Sequence, residues 1–531
     1  MKTKRFAALG LTVALAVSVL AGSTAVYADD PDKYEINTET GNTETTDETI
    51  KIALMSEPST LWGAGTGKLE LEDVYVASAL FDTLVVLNQE TWEVEPSLAT
   101  SWEWIDDTHC KFTLRDDVTM TDGTPLVADD VVYSVETWMT QSPSTDTGRF
   151  LAGAVADDEH TVTIEYTVAA PDLLIMMGWP QFGIVSEDEV NALGGYEAAA
   201  RNPVMGSGKY RFSEWVSGEK IVLTRNEDYW NPDYKGYFKE IVLRFIGDAA
   251  GRMMNVGSGD VDVACDMQLV EATSAMGSSK VYVYTTGQMA HLWYNMSDSA
   301  GATKELKVRQ AIDKALNFDA ISQVATTGLF VEPQLGYAGT ASPYYTETWT
   351  AEERAEDIEG AKALLEEAGY GDGLELRILG LSNQMDVLTV IQGSLSQIGI
   401  KLTIDTPDVA TFVPQAFSGD YDLIIVGELL KAKVPTSFPF LVRENIEGPG
   451  VVIGGPKWTT DEIDNEITAF IEEKDTEKAK EIITTIDQQL KEEMVCSNLY
   501  LEPKAHITGT EIKGLRTRDE RGYLDLTSFY K

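Results

Sequence analysis

The sequence predicts a mixed α/β protein of several domains, and three observations carry that prediction. At 531 residues the chain is longer than one hydrophobic core supports, so two or three domains are expected. An apolar fraction of 43% with 11 Trp argues for packed cores and against disorder. Between residues 353 and 427, helical and strand patterns alternate three times, the signature of an α/β lobe.

In chain order, Lys2, Lys4 and Arg5 precede an apolar stretch from Phe6 to Leu20, and Val26-Tyr27-Ala28 supplies small residues for cleavage. Residues 1–28 therefore read as a secretory signal peptide. Leu20-Ala21-Gly22-Ser23 has the form of a bacterial lipoprotein box with Ser23 in place of the lipidated cysteine, so no lipid anchor is expected. Residues 29–49, acidic and Thr-rich, read as a disordered tether. The fold starts with an alternating strand, Ile50 to Leu54, and a loop from Ser56 to Trp62 follows. Helical spacing covers Asp73 to Leu84 and Ala128 to Met139, with short strands between and a turn at Thr121 to Pro125. Gly206 and Gly208 are expected to take positive φ between a loop and a strand. Later helices are expected at 353–368, 386–398, 461–473 and 476–493, and a strand at Ile400 to Ile404.

Charge and motifs exclude several function classes. A net charge of −45 repels phosphate backbones, so nucleic acid is not an expected partner. No calcium-loop pattern and no G-x-S-x-G elbow occur. Gly63 to Lys68 imitates a phosphate loop, but it is one residue short and Leu69 replaces the metal-binding hydroxyl. His109, His160, His291 and His506 are scattered outside any metal motif, and no cofactor is expected. Cys110, Cys265 and Cys496 read as buried thiols, not a disulfide framework.

Four sequence blocks resemble the extracellular solute-binding protein family 5, the oligopeptide, dipeptide and nickel binders of ABC importers. The first runs VASALFDTLVVLNQETWEVEPSLATSWEW and then FTLRDDVTMTDGTPLVADDVVYSVETW, within residues 76–138. The second is Asn202 to Tyr210, followed by Trp215, Gly218-Glu219 and Leu223 to Trp230. The third is Val308 to Asn317 and the fourth Ala361 to Tyr370. The resemblance covers essentially Ile50 to Lys531. It implies a two-lobed, periplasmic-binding-protein-like fold with an inserted domain. Lobe I would take 50–88, 206–297 and 509–531, the inserted domain 89–205, and lobe III 298–508. It also implies hinge closure on a ligand, delivery to an ABC permease, a monomeric state and no catalysis. The resemblance further places an Asn at position 295, so Asn295-Met296-Ser297 is read that way and not as a glycosylation sequon.

The stretch Gly419 to Leu441 is where a ligand is expected first. Leu423 to Val426 reads as a buried strand closed by Gly427, and ligands of open α/β sheets bind beyond the carboxyl ends of strands. In the peptide binders this strand is followed by Gly, Trp, two further residues and an Asp that pairs with the peptide amine, then Pro-x-x-Phe. Here Gly427, Glu428, Leu429, Leu430 and Lys431 lead to Pro435-Thr436-Ser437-Phe438, with Glu428 at the Trp position and Lys431 at the Asp position. A reversed charge there disfavours a free peptide amine and favours an anionic or polar ligand, a blocked peptide or a saccharide-like solute. Alternatively Glu428 and Lys431 pair with each other or face solvent. The resemblance places a second contact region at Ser56 to Leu61, where Glu57 offers a displaced anion. Trp293 and Tyr294, and more weakly Trp62, are candidates for stacking on a ligand, against the alternative that they are core. The leading expectation is thus a substrate-binding protein of an ABC importer for a peptide or related small polar solute, exported to the periplasm or cell surface. A non-transport sensor or scavenger is the alternative, and a hydrolase on the same scaffold the least favoured.

Overall fold

A computed structural model describes residues 44–62, 71–88, 93–141, 150–167, 173–199, 206–232, 235–275, 277–297, 300–329, 334–339, 342, 344–429, 459–516 and 523–531. The signal peptide, most of the tether, the phosphate-loop imitation and Lys431 lie outside them.

The strands are β1 (Thr49–Leu54), β2 (Val85–Leu87), β3 (Val94–Pro96), β4 (Ala99–Trp104), β5 (His109–Leu114), β6 (Leu151–Asp158), β7 (Thr161–Tyr166), β8 (Tyr210–Val216), β9 (Lys220–Arg225), β10 (Glu240–Phe245), β11 (Val263–Ala264), β12 (Lys280–Tyr294), β13 (Leu374–Leu379), β14 (Ile400–Asp405), β15 (Leu423–Leu429) and β16 (Cys496–Thr508). Ten of them form one sheet in the order β14-β13-β15-β12-β16-β11-β1-β10-β9-β8. Strands β4, β5, β7 and β6 form a separate antiparallel sheet within residues 99–166.

The main sheet is two half-sheets stitched by two long strands. In one half β1 runs parallel to β10 and β11. In the other β13 runs parallel to β14 and β15. Strand β12 pairs antiparallel with β16 along its length, so both strands serve both halves. The ladder between them shifts register twice, between Ala290 and His291 and, more widely, in the middle: Thr285 faces Pro503 and the next pair is Met289 with Leu501. Residues 286–288 thus stand opposite Glu502 alone, the geometry of a bulge that weakens pairing and permits bending.

The helices follow from capping and packing. The helix at Leu71–Leu80 ends four residues earlier than its apolar spacing suggests, because the N–H of Gly208 takes the carbonyl of Leu80. The expected helix at 353–368 starts only at Ile358, where the Asp357 side chain accepts from the N–H of Gly360. Residue Arg354 instead turns inward. It is buried, donates to Asp313 at 2.9 Å, and lies 3.6 Å over the Phe318 ring. Helices Met385–Ser396, Val409–Ser418, Asp461–Glu472 and Thr476–Glu492 complete the lobe, and the three helix-strand alternations between 353 and 427 are present.

Two local expectations are corrected. Neither Gly206 nor Gly208 adopts positive φ. They are glycines because a Cβ on Gly206 would lie 2.4 Å from the Leu80 carbonyl oxygen, and one on Gly208 2.3 Å from the Leu80 carbonyl carbon. The end of the tether also belongs to the fold: Thr46 donates to Tyr237 and accepts from Arg225. Nearby, Asp82 gathers Ser207, Tyr229 and Trp230 at 2.9, 3.0 and 2.8 Å, which ties the first two sequence blocks together. The three cysteines are buried free thiols, and burial pushes Cys110 up to about 12.

Candidate functional site

The carboxyl ends of β1 and β15 open toward the crossover of β12 and β16. The loop after β1 is shaped by the first turn of helix Leu71–Leu80. Glu72 accepts the N–H of Ser56 at 3.0 Å, and Asp73 accepts the N–H of Ser59 at 2.6 Å and that of Thr60 at 3.1 Å. These carboxylates hold the loop, and burial raises the pKa of Glu72 despite its hydrogen bonds. Glu57 is drawn to the β8–β9 turn, accepting from Trp215 Nε1 at 2.8 Å and from the N–H of Gly218 at 2.9 Å.

The aromatic candidates are packed inside the protein. Trp62 is fully buried, donates to the carbonyl of Gly183 and lies 5.6 Å from the Tyr196 ring. In β12, Trp293 is buried beside His291 at 5.4 Å between ring centres. Tyr294 is buried with its hydroxyl 2.6 Å from Ser497 Oγ. All three rings are buried in the core and offer no face to solvent, so Trp293 and Tyr294 read as core residues of β12. Asn295 spends its amide on the carbonyls of Gly419 and Tyr421, both at 2.9 Å, where it fixes the turn into β15.

At the end of β15, Gly427 pairs with Ala290, Glu428 with Met289 and Leu429 with Gln288. The side chains of Glu428 and Leu429, and all of Lys431, fall outside the described residues. Against the bare face of Gly427 lie two side chains that sequence reasoning did not single out, Gln288 and Glu502. Both belong to the broken part of the ladder. Four consecutive residues there, Leu501 to Lys504, are half-buried within an otherwise buried strand. A Glu-Pro-Lys interruption of an apolar run was the available signal.

Further titratable groups lie where β11 and β16 meet the β1 half. Asp266 takes a left-handed φ of 49° just past β11, and Tyr75 donates to both its oxygens, at 3.1 and 2.9 Å. Burial raises the pKa of Asp266 and of Glu502, and Lys504 opposes the rise in both. Each carboxylate keeps some accessible surface and is nonetheless strongly desolvated. His506 accepts the N–H of Asp266 on Nδ1 at 3.2 Å, and its Nε2 is 2.9 Å from the Tyr284 hydroxyl. Burial lowers the pKa of His506 to about 3, and that of His291 likewise to about 3, so both rings are neutral. Among the described residues no group of three or more His, Cys, Asp or Glu is arranged to hold a metal.

The family model for bacterial extracellular solute-binding proteins, family 5, matches residues 93–443. The chain belongs to this family. Among its curated relatives this solute-binding protein is 24% identical over 408 residues to the periplasmic murein peptide-binding protein MppA of Escherichia coli K12, covering 71% of this chain and 75% of MppA. It is 23% identical over 481 residues to the periplasmic oligopeptide-binding protein OppA of the same organism, covering 84% and 86%. The structure of the substrate-binding protein CtaP of Listeria monocytogenes superimposes with a TM-score of 0.78 at 19% identity, covering 91% of this chain and 99% of CtaP. The family-5 fold, two lobes with an inserted domain, is therefore that of this protein, and its activity is solute binding. Among the described residues no helix is long and apolar enough to cross a membrane.

Proposed function

We propose that this protein captures a peptide, or a related small polar solute, between lobe I (50–88, 206–297 and 509–531) and lobe III (298–508), and delivers it to the permease of an ABC importer. Residues 89–205 form the inserted domain. The observation that carries this reading is the break at 286–288 and Glu502 in the two strands shared by both half-sheets, directly beside the end of β15. Hinge closure needs a few residues that absorb backbone rotation, and these are placed to do so. The peptide-binding names of MppA and OppA support the ligand class. The proposed lining is the loop at Ser56 and Glu57 together with Glu428, Leu429 and Lys431, while Trp62, Trp293 and Tyr294 support it from behind. The protein acts as a monomer, exported by residues 1–28. The test is small-angle scattering of the mature protein with and without a pool of tripeptides. Closure lowers the radius of gyration. An unchanged profile alongside demonstrated binding removes the hinge reading.

A released scavenger is the second reading, favoured by Ser23 in place of a lipidated cysteine. Recovery of the native protein from culture medium, not from the cell envelope, supports it.

A further inference from the structure

We propose that the ion pair between Lys474 and Asp107 is a salt-sensitive clasp that holds the inserted domain against lobe III and biases the hinge toward its closed arrangement. The proposal rests on the lobe assignment and the hinge reading above, and it names what sets the hinge's resting position before any ligand arrives.

The two partners belong to bodies that the hinge separates. Asp107 lies in the turn between β4 and β5, in the inserted domain, and that domain is bonded to lobe I. Trp62 Nε1 donates to the carbonyl of Gly183 at 3.2 Å, the N–H of Ile184 to that of Asp82 at 3.0 Å, and the N–H of Thr121 to that of Gly206 at 2.8 Å. Lys474 lies between helices Asp461–Glu472 and Thr476–Glu492, and that hairpin is bonded to the rest of lobe III. Asp487 accepts from Thr346 at 2.6 Å, and Lys491 Nζ donates to the carbonyl of Thr348 at 2.8 Å. Lys474 Nζ donates to Asp107 Oδ1 at 2.8 Å, across 367 positions of sequence. The bodies are already joined through β12 and β16, so a second link through neither strand closes a ring. Rotation that parts the bodies must break that link, which puts it on the closed side of the equilibrium.

The chemistry at the contact is that of a clasp, not of a packed interface. Acidic residues far outnumber basic ones both in residues 89–205 and in residues 461–493, so the two surfaces repel as they approach. Lys474 is the cation set among Glu472, Glu473 and Asp475. The carboxylates beside the pair are spent on their own backbones. Asp106 accepts the N–H groups of Thr108 and His109, both at 2.9 Å, and Asp475 caps its helix by accepting from Glu477 and Lys478. Asp107 and Lys474 meet the other body instead. They stay 74% and 59% exposed, so their attraction is modest and screened by salt. A modest contribution suffices where open and closed forms lie close in free energy.

The test reads the separation of the two bodies beside the pair itself. The mature protein carries nitroxide labels at Ile105→Cys and Thr476→Cys, exposed positions two residues from each partner, while Cys110, Cys265 and Cys496 are buried from the reagent. Dipolar electron spin resonance without ligand gives the fraction at short distance, in about 20 mM and about 500 mM NaCl. The labelled parent is expected to lose short-distance population as salt rises. Lys474→Glu should lower the ratio of near to parted forms about two- to fivefold at low salt, the effect of one exposed pair. Adding Asp107→Lys to Lys474→Glu should restore the ratio. An unchanged ratio in Lys474→Glu overturns the proposal, as does a double variant no nearer the parent than the single one. So does a short-distance population that grows with salt in the parent. A pool of tripeptides separates the two readings. If the pool shortens the distance while Lys474→Glu changes nothing, the clasp falls and the hinge stands. If neither the pool nor any charge variant alters the distance, the hinge reading falls and the clasp falls with it.

Discussion

The carboxylate of Glu502 occupies the space that a side chain at Gly427 would need, with Oε1 2.7 Å from the position of an ideal Cβ and Gln288 Nε2 at the same distance. Both obstacles are the ends of flexible side chains. Gly427→Ala should therefore displace them at small cost, with a melting temperature close to wild type, yet weaken retention of unmodified tripeptides. Parallel melting curves and native mass spectra separate the two effects. Equal losses of stability and retention would show that Gly427 is there for the fold alone.

Gly208 and Gly257 should respond to alanine with opposite signs. A Cβ on Gly208 meets the backbone of Leu80 at 2.3 Å, which no rotamer can relieve. Gly208→Ala should cost about 3 kcal/mol, at the upper end of overpacking. Gly257 lies exposed in helix Ala249–Ser258 with nothing within 4 Å of its Cβ position. Gly257→Ala should stabilise by about 0.5–1 kcal/mol. Thermal melts of the two variants check both signs.

Asp487 makes stability fall as pH rises. It is buried in helix Thr476–Glu492, accepts from Thr346 at 2.6 Å, and burial lifts its pKa from 3.8 to about 7. The folded state then holds a proton that the unfolded chain releases first, so this group's contribution declines between about pH 4 and 7 and stays low above that. Asp487→Asn keeps an acceptor for Thr346 without a charge. It should raise the melting temperature at pH 8, an effect of roughly 1–4 kcal/mol, with the gain shrinking toward pH 5. A gain independent of pH would point to packing.

Arg354 is enclosed between Phe318 and Trp349, and bonded to Asp313 and to the carbonyl of Asn498. Removing it leaves the buried Asp313 without the guanidinium, with the Ser497 hydroxyl still donating at 2.6 Å. Arg354→Met should destabilise by about 3–5 kcal/mol, the usual consequence of stranding a buried charge. The double variant Arg354→Met, Asp313→Asn should recover much of that, and denaturant melts of the pair measure the coupling.

The alternation between 353 and 427 was legible because each helix there is periodic and followed by a glycine at positive φ, Gly369, Gly399 or Gly419. Helix starts were less so. Apolar spacing continues through Glu353 to Asp357, but Arg354 finds a buried carboxylate far away in sequence, and such partners leave no local trace. Gly206 and Gly208 announced themselves as special, yet positive φ and close approach write the same letter. The candidate site was half legible. The strand end at Gly427 could be placed from pattern, whereas Glu502 reaches it only through the pairing of β12 with both β15 and β16. Trp293 and Tyr294 were ambiguous for a related reason: a strand buried on both faces carries aromatics on both.

The order of the main sheet also bears on when the molecule can become itself. Strand β16 lies between β12 and β11, although it ends at residue 508 of 531. Without it, β14-β13-β15-β12 and β11-β1-β10-β9-β8 are separate sheets with raw facing edges. A growing chain therefore cannot join its two halves until β16 has been synthesised, and a truncation before Cys496 leaves two sheets and no shared spine.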